Sequence, residues 1–195
     1  MQQLSTGQQL QQAYRQYIAP YSKYVQCAVT LTLKQSALVR VRRFQNYGDD
    51  YYEFRDYLDE DKLRSTIRYF TAQLTNELYG NLAKHKNKQH WAKPLVIAVV
   101  EGRNTHKLTH LHMAIGNIPA TNIDNIAQHT QAAFARCDFA NKQLCVKPVS
   151  SGMGWLGYIT KQVGYTDNDA LDIVGSTIPP FIQQSTCTES RLLTA

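Results

Sequence analysis

Two stretches of this chain alternate apolar and polar residues with a period of two, and that alternation most limits what it can fold into. Val25 to Lys34 reads VQCAVTLTLK, with Val25, Cys27, Val29, Leu31 and Leu33 on one side and Gln26, Thr30, Thr32 and Lys34 on the other. Thr109 to Gly116, THLHMAIG, alternates in the same way. An extended backbone sorts successive side chains to opposite faces, so each stretch is a strand with one face turned to a core. Pro94 to Glu101, PLVIAVVE, is apolar throughout and rich in β-branched residues, as expected of a short strand buried on both faces. With Arg103 to Leu108 as the connection, it pairs with Thr109–Gly116 as a hairpin.

Helical periodicity supplies the rest. Gly7 to Ile18 places Leu10, Ala13, Tyr14 and Tyr17 on one face and is stopped by Pro20. Asp59 is an N-cap for a helix carrying Leu63, Ile67, Phe70, Leu74 and Leu78 inward, closed by Gly80. A further helix follows Pro119, with Ile123, Ile126, Thr130, Ala133 and Phe134 inward. Gln143 to Val149 is a weaker strand, placed at a sheet edge by Pro148, and Gly154 to Val163 reads as helix. Ser36 to Leu58 is rich in Arg and Tyr, with Tyr47-Gly48-Asp49-Asp50 as a turn. The order strand, helix, hairpin, helix, strand, helix predicts an α+β fold, an antiparallel sheet with helices packed on one face. Residues 1–24 read as an N-terminal helical extension, 25–165 as the functional domain, and 166–195 as a C-terminal extension with no assigned element.

Composition narrows the function. The 195 residues suit one domain, and 43% hydrophobic against 18% charged residues supports a packed core. A net charge of +6 favours an anionic partner. No apolar run is long enough to span a membrane, and MQQLSTGQQLQQAYRQ lacks the apolar stretch of a secretory leader. Cys27, Cys137, Cys145 and Cys187 contain no CxxC spacing, which excludes a zinc ribbon or thioredoxin-type site and fits reduced thiols in a cytoplasm. There is no GxxxxGK[ST], hence no P-loop motor.

The chemistry concentrates in three places. His110 and His112 share one face of their strand, so two imidazoles can reach a single metal ion. Glu101 ends the preceding strand, and the hairpin folds its carboxylate back beside them. Two imidazoles and a carboxylate leave coordination positions open, suiting Mn²⁺ or Mg²⁺ with a phosphate oxygen, or Fe(II) as a facial triad; the ligands alone do not name the reaction. Tyr158 and Lys161, in Tyr158-Ile159-Thr160-Lys161, are i and i+3 neighbours on a helix, placing a phenol nucleophile beside an ammonium.

Taken in order, VTLTLK (Val29 to Lys34), Glu101 with His110-Leu111-His112, and Tyr158-Ile159-Thr160-Lys161 resemble the motifs of the HUH (His-hydrophobic-His) endonucleases. Within them the closest likeness is to single-tyrosine rolling-circle replication initiators of plasmids and small phages. The resemblance covers roughly residues 25 to 165 and rests on short motifs. It implies a five-stranded antiparallel sheet of ferredoxin or RRM-like type, with a divalent ion held by His110, His112 and Glu101. It implies Tyr158 as the nucleophile that nicks single-stranded or hairpin DNA at a replication origin, leaving a 5′-phosphotyrosine, with Lys161 assisting and a separate or host helicase unwinding. Gln162, four residues after Tyr158, resembles instead the glutamine that completes the metal site of single-tyrosine HUH transposases. Tyr165 follows at a wider spacing than two-tyrosine initiators usually show.

Arg40, Arg42 and Arg43, and Lys84, Lys86, Lys88 and Lys93 around Trp91, are candidate phosphate contacts, with Tyr47, Tyr51 and Tyr52 as rings for unpaired bases. Two other classes compete. A non-catalytic RRM-like binder should carry aromatics on its open sheet face, where this chain puts Thr30, Thr32, His110 and His112. A 2-His-1-carboxylate oxygenase commonly uses a double-sheet jelly roll, which the helical segments here do not suit.

Overall fold

A computed structural model of the chain describes residues 4–44, 49–85, 87, 90–103, 108–165 and 167–185, and of residues 42–44 and 49–50 the backbone alone. Strands β1 (Val25–Leu33), β2 (Ser36–Phe44), β3 (Asp49–Tyr57), β4 (Leu95–Glu101), β5 (His110–Gly116), β6 (Ala140–Pro148) and β7 (Leu171–Thr177) alternate with helices α1 (Thr6–Ile18), α2 (Glu60–Tyr79), α3 (Ile126–Ala135) and α4 (Gly152–Ile159). Five strands form an antiparallel sheet in the order β6-β1-β5-β4-β7, and β2 pairs only with β3. The architecture is α+β, a five-stranded antiparallel sheet with helices packed on it.

Alternation along the strands builds the first core. Val29, Leu31, Val96, Val100, Leu111, Met113 and Ile115 face Leu63, Ile67, Phe70 and Leu74 of α2 and Phe134 of α3. Phe70 and Phe134 meet edge to face at 6.2 Å, joining the two helices over the sheet. Helix α2 begins where Asp59 accepts from the Lys62 amide and ends at Gly80, as the capping residues predict.

The opposite face differs from the expectation of helices on one side only. Leu95, Ile97, Val99 and Ala114 form a second core with Leu156 and Ile159 of α4, Ile18 of α1, and Leu171 and Ile182. Strand β4 is apolar in both directions and β5 adds Ala114 beside it, so water must be kept from part of the second face as well, and α1 and α4 do this.

Three sequence assignments change. The Arg- and Tyr-rich stretch is a long β-hairpin, with Asp49 and Asp50 in β3; Tyr47 and Gly48 lie outside the described residues. Helix α4 ends at Ile159, short of Val163, where the Thr160 hydroxyl donates to the Leu156 carbonyl at 2.8 Å and the chain turns. The segment after residue 165 is no mere extension: β7 enters the sheet beside β4. Its SerThr-containing LDIVGST alternates poorly, which hides it from periodicity. Among the described residues, no helix is long and apolar enough to cross a membrane.

Close backbone packing at the strand ends gives a paired prediction. A Cβ on Gly116 would stand 1.9 Å from the Tyr24 carbonyl oxygen, whereas one on Gly157 meets nothing within 4 Å. Gly116→Ala should therefore lose about 1–3 kcal/mol through overpacking. Gly157→Ala should gain roughly 0.5–1 kcal/mol from helix propensity. Urea denaturation of both variants checks the contrast; equal midpoints would contradict it.

Candidate functional site

The second face of the sheet is left open at one end, and the polar residues of three strands meet there. Register pairs Thr30 of β1 with His112 and Thr32 with His110, while Glu101 at the end of β4 lies opposite His110. The Thr30 hydroxyl is 3.0 Å from His112 Nδ1, and the Thr32 hydroxyl 3.1 Å from His110 Nδ1. Each ring therefore has Nδ1 engaged and Nε2 turned away from its threonine. His112 Nε2 is 2.8 Å from Glu101 Oε2, and Gln162 Nε2 donates to Glu101 Oε1 at 2.7 Å.

His112 is buried, and that desolvation holds its pKa below the ordinary imidazole value, opposed by the Glu101 charge. A neutral ring suits this geometry: Nε2–H donates to Glu101 while Nδ1 accepts from Thr30. A hydroxyl both donates and accepts, so Thr30 also satisfies the other tautomer, in which Nε2 carries a lone pair for a metal.

Helix α4 brings the rings over this floor. Ser151 caps it by accepting from the Gly154 amide, and Trp155 Nε1 donates to the Met113 carbonyl at 3.0 Å, anchoring the helix to β5. Trp155 and Tyr158 stack with centroids 5.1 Å apart at 16°. The edge-to-face separation of Tyr158 from His112 is 5.9 Å. The Lys161 ammonium lies 4.0 Å from the Tyr158 ring centroid. Lys161 reaches it from the turn after α4 rather than from a second helical turn, because its amide donates to the Tyr158 carbonyl at 3.1 Å. Helix α1 supports that turn: Gln11 Nε2 donates to the carbonyls of Thr160 and Lys161, both at 3.0 Å.

Glu101, His110, His112, Tyr158, Lys161 and Gln162 thus converge from β4, β5 and the end of α4. The donor set fits a divalent cation that accepts mixed nitrogen and oxygen ligands. Among the described residues no group of three His, Cys, Asp or Glu side chains is already set to hold one. Two of the three candidate donors, Glu101 and His112, are paired directly with each other.

Other candidates do not gather here. Lys84 and Lys93 are exposed but precede β4, whose start pairs with Gly116 at the far end of the sheet from Glu101. Lys86 and Lys88 lie outside the described residues, as do the side chains of Arg42 and Arg43. Arg40 lies on β2, which leaves the sheet at the site end, with its guanidinium 4.3 Å from the Tyr51 ring centroid. Tyr165 is exposed beyond the turn. The roles of Trp155 and of the two threonines as imidazole partners were not readable in advance. Their only signal was a shared strand face for Thr30 and Thr32, without the register that sets them against the histidines.

The threonines provide a test of the donor arrangement. Thr30→Val and Thr32→Val keep side-chain shape but remove the Nδ1 partner, so each should weaken Mn²⁺ binding by about 10–100-fold in calorimetry. His110→Ala with His112→Ala should abolish it. Undiminished binding in the double variant would refute the ligand assignment. Comparison of the chain with protein-family models, with curated proteins and with solved structures gives no match, so its function is argued from these residues.

Proposed function

We propose that this protein is a metal-dependent single-stranded DNA endonuclease and strand transferase of the HUH type, working as a single-tyrosine initiator of rolling-circle replication. One observation carries the reading: an exposed tyrosine, a lysine and a histidine–carboxylate pair come together from separate parts of the chain, with Tyr158 5.9 Å from His112 and Lys161 4.0 Å from the phenol ring.

The chemistry follows from those positions. Tyr158 Oη attacks phosphorus, the bond from phosphorus to the 3′ oxygen breaks, and the leaving oxygen takes up a proton to become a free 3′-OH. The strand's 5′ phosphate remains on the phenol as a phosphotyrosine. Lys161 stabilises phenolate character and charge on the reacting phosphate. His110, His112 and Glu101 would hold Mn²⁺ or Mg²⁺, which supplies Lewis acidity at a non-bridging phosphate oxygen when bound. The new phosphodiester conserves the energy of the broken one, so rejoining or transfer requires no nucleotide hydrolysis. The exposed Arg40 on the hairpin at the site end is suited to contact the approaching backbone.

A single-tyrosine transposase is the second reading, favoured by the hydrogen bond from Gln162 to Glu101. It shares the nicking step. Glu101→Ala should weaken Mn²⁺ binding more than Gln162→Ala; the reverse order would favour the transposase. In either case the natural partner is a single-stranded or hairpin DNA in a cytoplasmic setting, with unwinding supplied by another protein.

The deciding experiment incubates the protein with Mn²⁺ and single-stranded oligonucleotides covering a candidate origin, then resolves covalent adducts by denaturing electrophoresis and peptide mapping. Tyr158→Phe should fold and bind DNA but form no adduct. Lys161→Ala should slow cleavage by about 10–100-fold without abolishing it. An adduct on Tyr165 would change the nucleophile and keep the class, whereas full adduct yield in Tyr158→Phe and Tyr165→Phe together would refute the mechanism. Binding to single strands should fall steeply with salt and exceed binding to random duplex.

A further inference from the structure

Beside the tyrosine, on the side away from Glu101, the sheet face carries a cleft that the nicking chemistry leaves unassigned. It measures about 200 Å³ and is lined by Ala28, Thr30, Cys145, Lys147, Trp155 and Tyr158. Its floor is β1 paired with β6, where Thr30 lies opposite Cys145 and Ala28 opposite Lys147. Leu144 and Val146 pack toward the core beneath α2 and α3, so alternation along β6 turns Cys145 and Lys147 to the cleft. The far wall is the stacked pair of Trp155 and Tyr158, fixed in place by the indole's hydrogen bond to Met113.

Each surface of the cleft selects for the same kind of occupant. The wall is aromatic, made by a Trp155–Tyr158 pair stacked on each other with Lys161 over the tyrosine ring, the floor beneath it is Ala28, Thr30 and Cys145, and the exposed Lys147 ammonium stands at the rim. The volume is below the roughly 300–1,000 Å³ of ordinary small-molecule sites and suits one flat ring system. An unpaired base against aromatic side chains, with its phosphate on a lysine, is the usual chemistry of single-strand recognition.

We propose that this cleft is a binding subsite for one unpaired nucleotide next to the scissile phosphate, with its base against Trp155 and Tyr158 and its phosphodiester on Lys147. The proposal rests on the nicking reading and adds to it a specificity determinant: β6 and α4 choose the base that flanks the cut.

Cys145 provides a reporter inside the cleft. It is exposed, whereas burial pushes the thiols of Cys27 and Cys137 up to about 12, leaving them poor nucleophiles. Cys187 is outside the described residues and is removed as Cys187→Ser. In the full chain carrying Cys187→Ser and Tyr158→Phe, iodoacetamide labelling of Cys145 is followed by peptide mass spectrometry. Labelling is compared with and without a mixed-sequence pool of single-stranded oligonucleotides, with binding read in parallel by fluorescence anisotropy. Bound DNA should slow labelling of Cys145 at least about tenfold, and Cys145→Trp, which fills the cleft, should weaken binding about tenfold. Lys147→Ala should weaken binding and reduce the salt slope by about one. DNA that binds while Cys145 labels at the free rate, with both variants binding like their parent, would overturn the subsite. That result leaves the nicking reading standing, because adduct formation is measured separately in protein with Tyr158 intact. Absence of both binding and adduct would remove the two together.

Discussion

The register of β5 between β1 and β4 holds the rest of this structure in place. Leu111, Met113 and Ile115 are fully buried under α2 and α3, and the strand is hydrogen-bonded along both edges. A slip of one residue would exchange the two faces, driving both imidazoles into the apolar core and that aliphatic set out of it. The cost of that exchange keeps His110 and His112 on the open face. Their partners are then determined by pairing: threonines arrive from β1 on one side and Glu101 from β4 on the other.

The second face is only half covered, and the boundary of that cover makes the site. Ala114 follows the histidines on the same face and is small enough for α4 to lie close, with Leu156 and Ile159 sealing the inner part. Beyond it the sheet is open, so Tyr158 emerges at the edge of the helix while His112, beneath the rings, is nearly withdrawn from water. Burial holds the pKa of that histidine below the ordinary imidazole value, against the opposing pull of the Glu101 charge. Helix α1 contributes at a distance. Arg15 donates to the Thr160 hydroxyl at 3.2 Å and to the Gly157 carbonyl at 3.4 Å, tying α1 to the C-terminal end of α4. A Cβ on Gly7 would stand 1.9 Å from the Gly164 carbonyl oxygen, so the start of α1 also packs tightly on the turn that carries Lys161 and Gln162. What reads as an N-terminal extension is thus part of the support for the phenol and ammonium.

Legibility in the sequence followed the strength of local signals. The period-two stretches became β1 and β5, and the spacing from Leu63 to Leu78 between Asp59 and Gly80 became α2 with both caps in place. The β2–β3 hairpin was missed because its apolar alternation is short, Ala37, Val39 and Val41 on β2, and β3 is almost wholly polar or aromatic. Strand β7 was missed for a related reason: it is an edge strand, with Ile173 and Val174 exposed and Asp172 buried, the reverse of the pattern that marks a strand. Lys84 and Lys93, part of one basic cluster in sequence, are separated from the chemistry by the length of β4.

Local sequence determined which side chains share a strand face and which residues start and stop the main helix, because those depend on backbone periods of 2 and 3.6 and on caps within a few residues. It therefore placed His110 and His112 together, with Glu101 beside them through the hairpin, while Tyr158 and Lys161 joined them as candidates through the resemblance of ordered motifs. Only the tertiary structure decided that Thr30 and Thr32 meet the imidazoles, that Glu101 pairs with His112 and Gln162, and that Trp155 presses Tyr158 over them. Those contacts depend on strand order, register and the seat of α4 on the second core, which arise from burying apolar surface contributed by segments far apart in the chain.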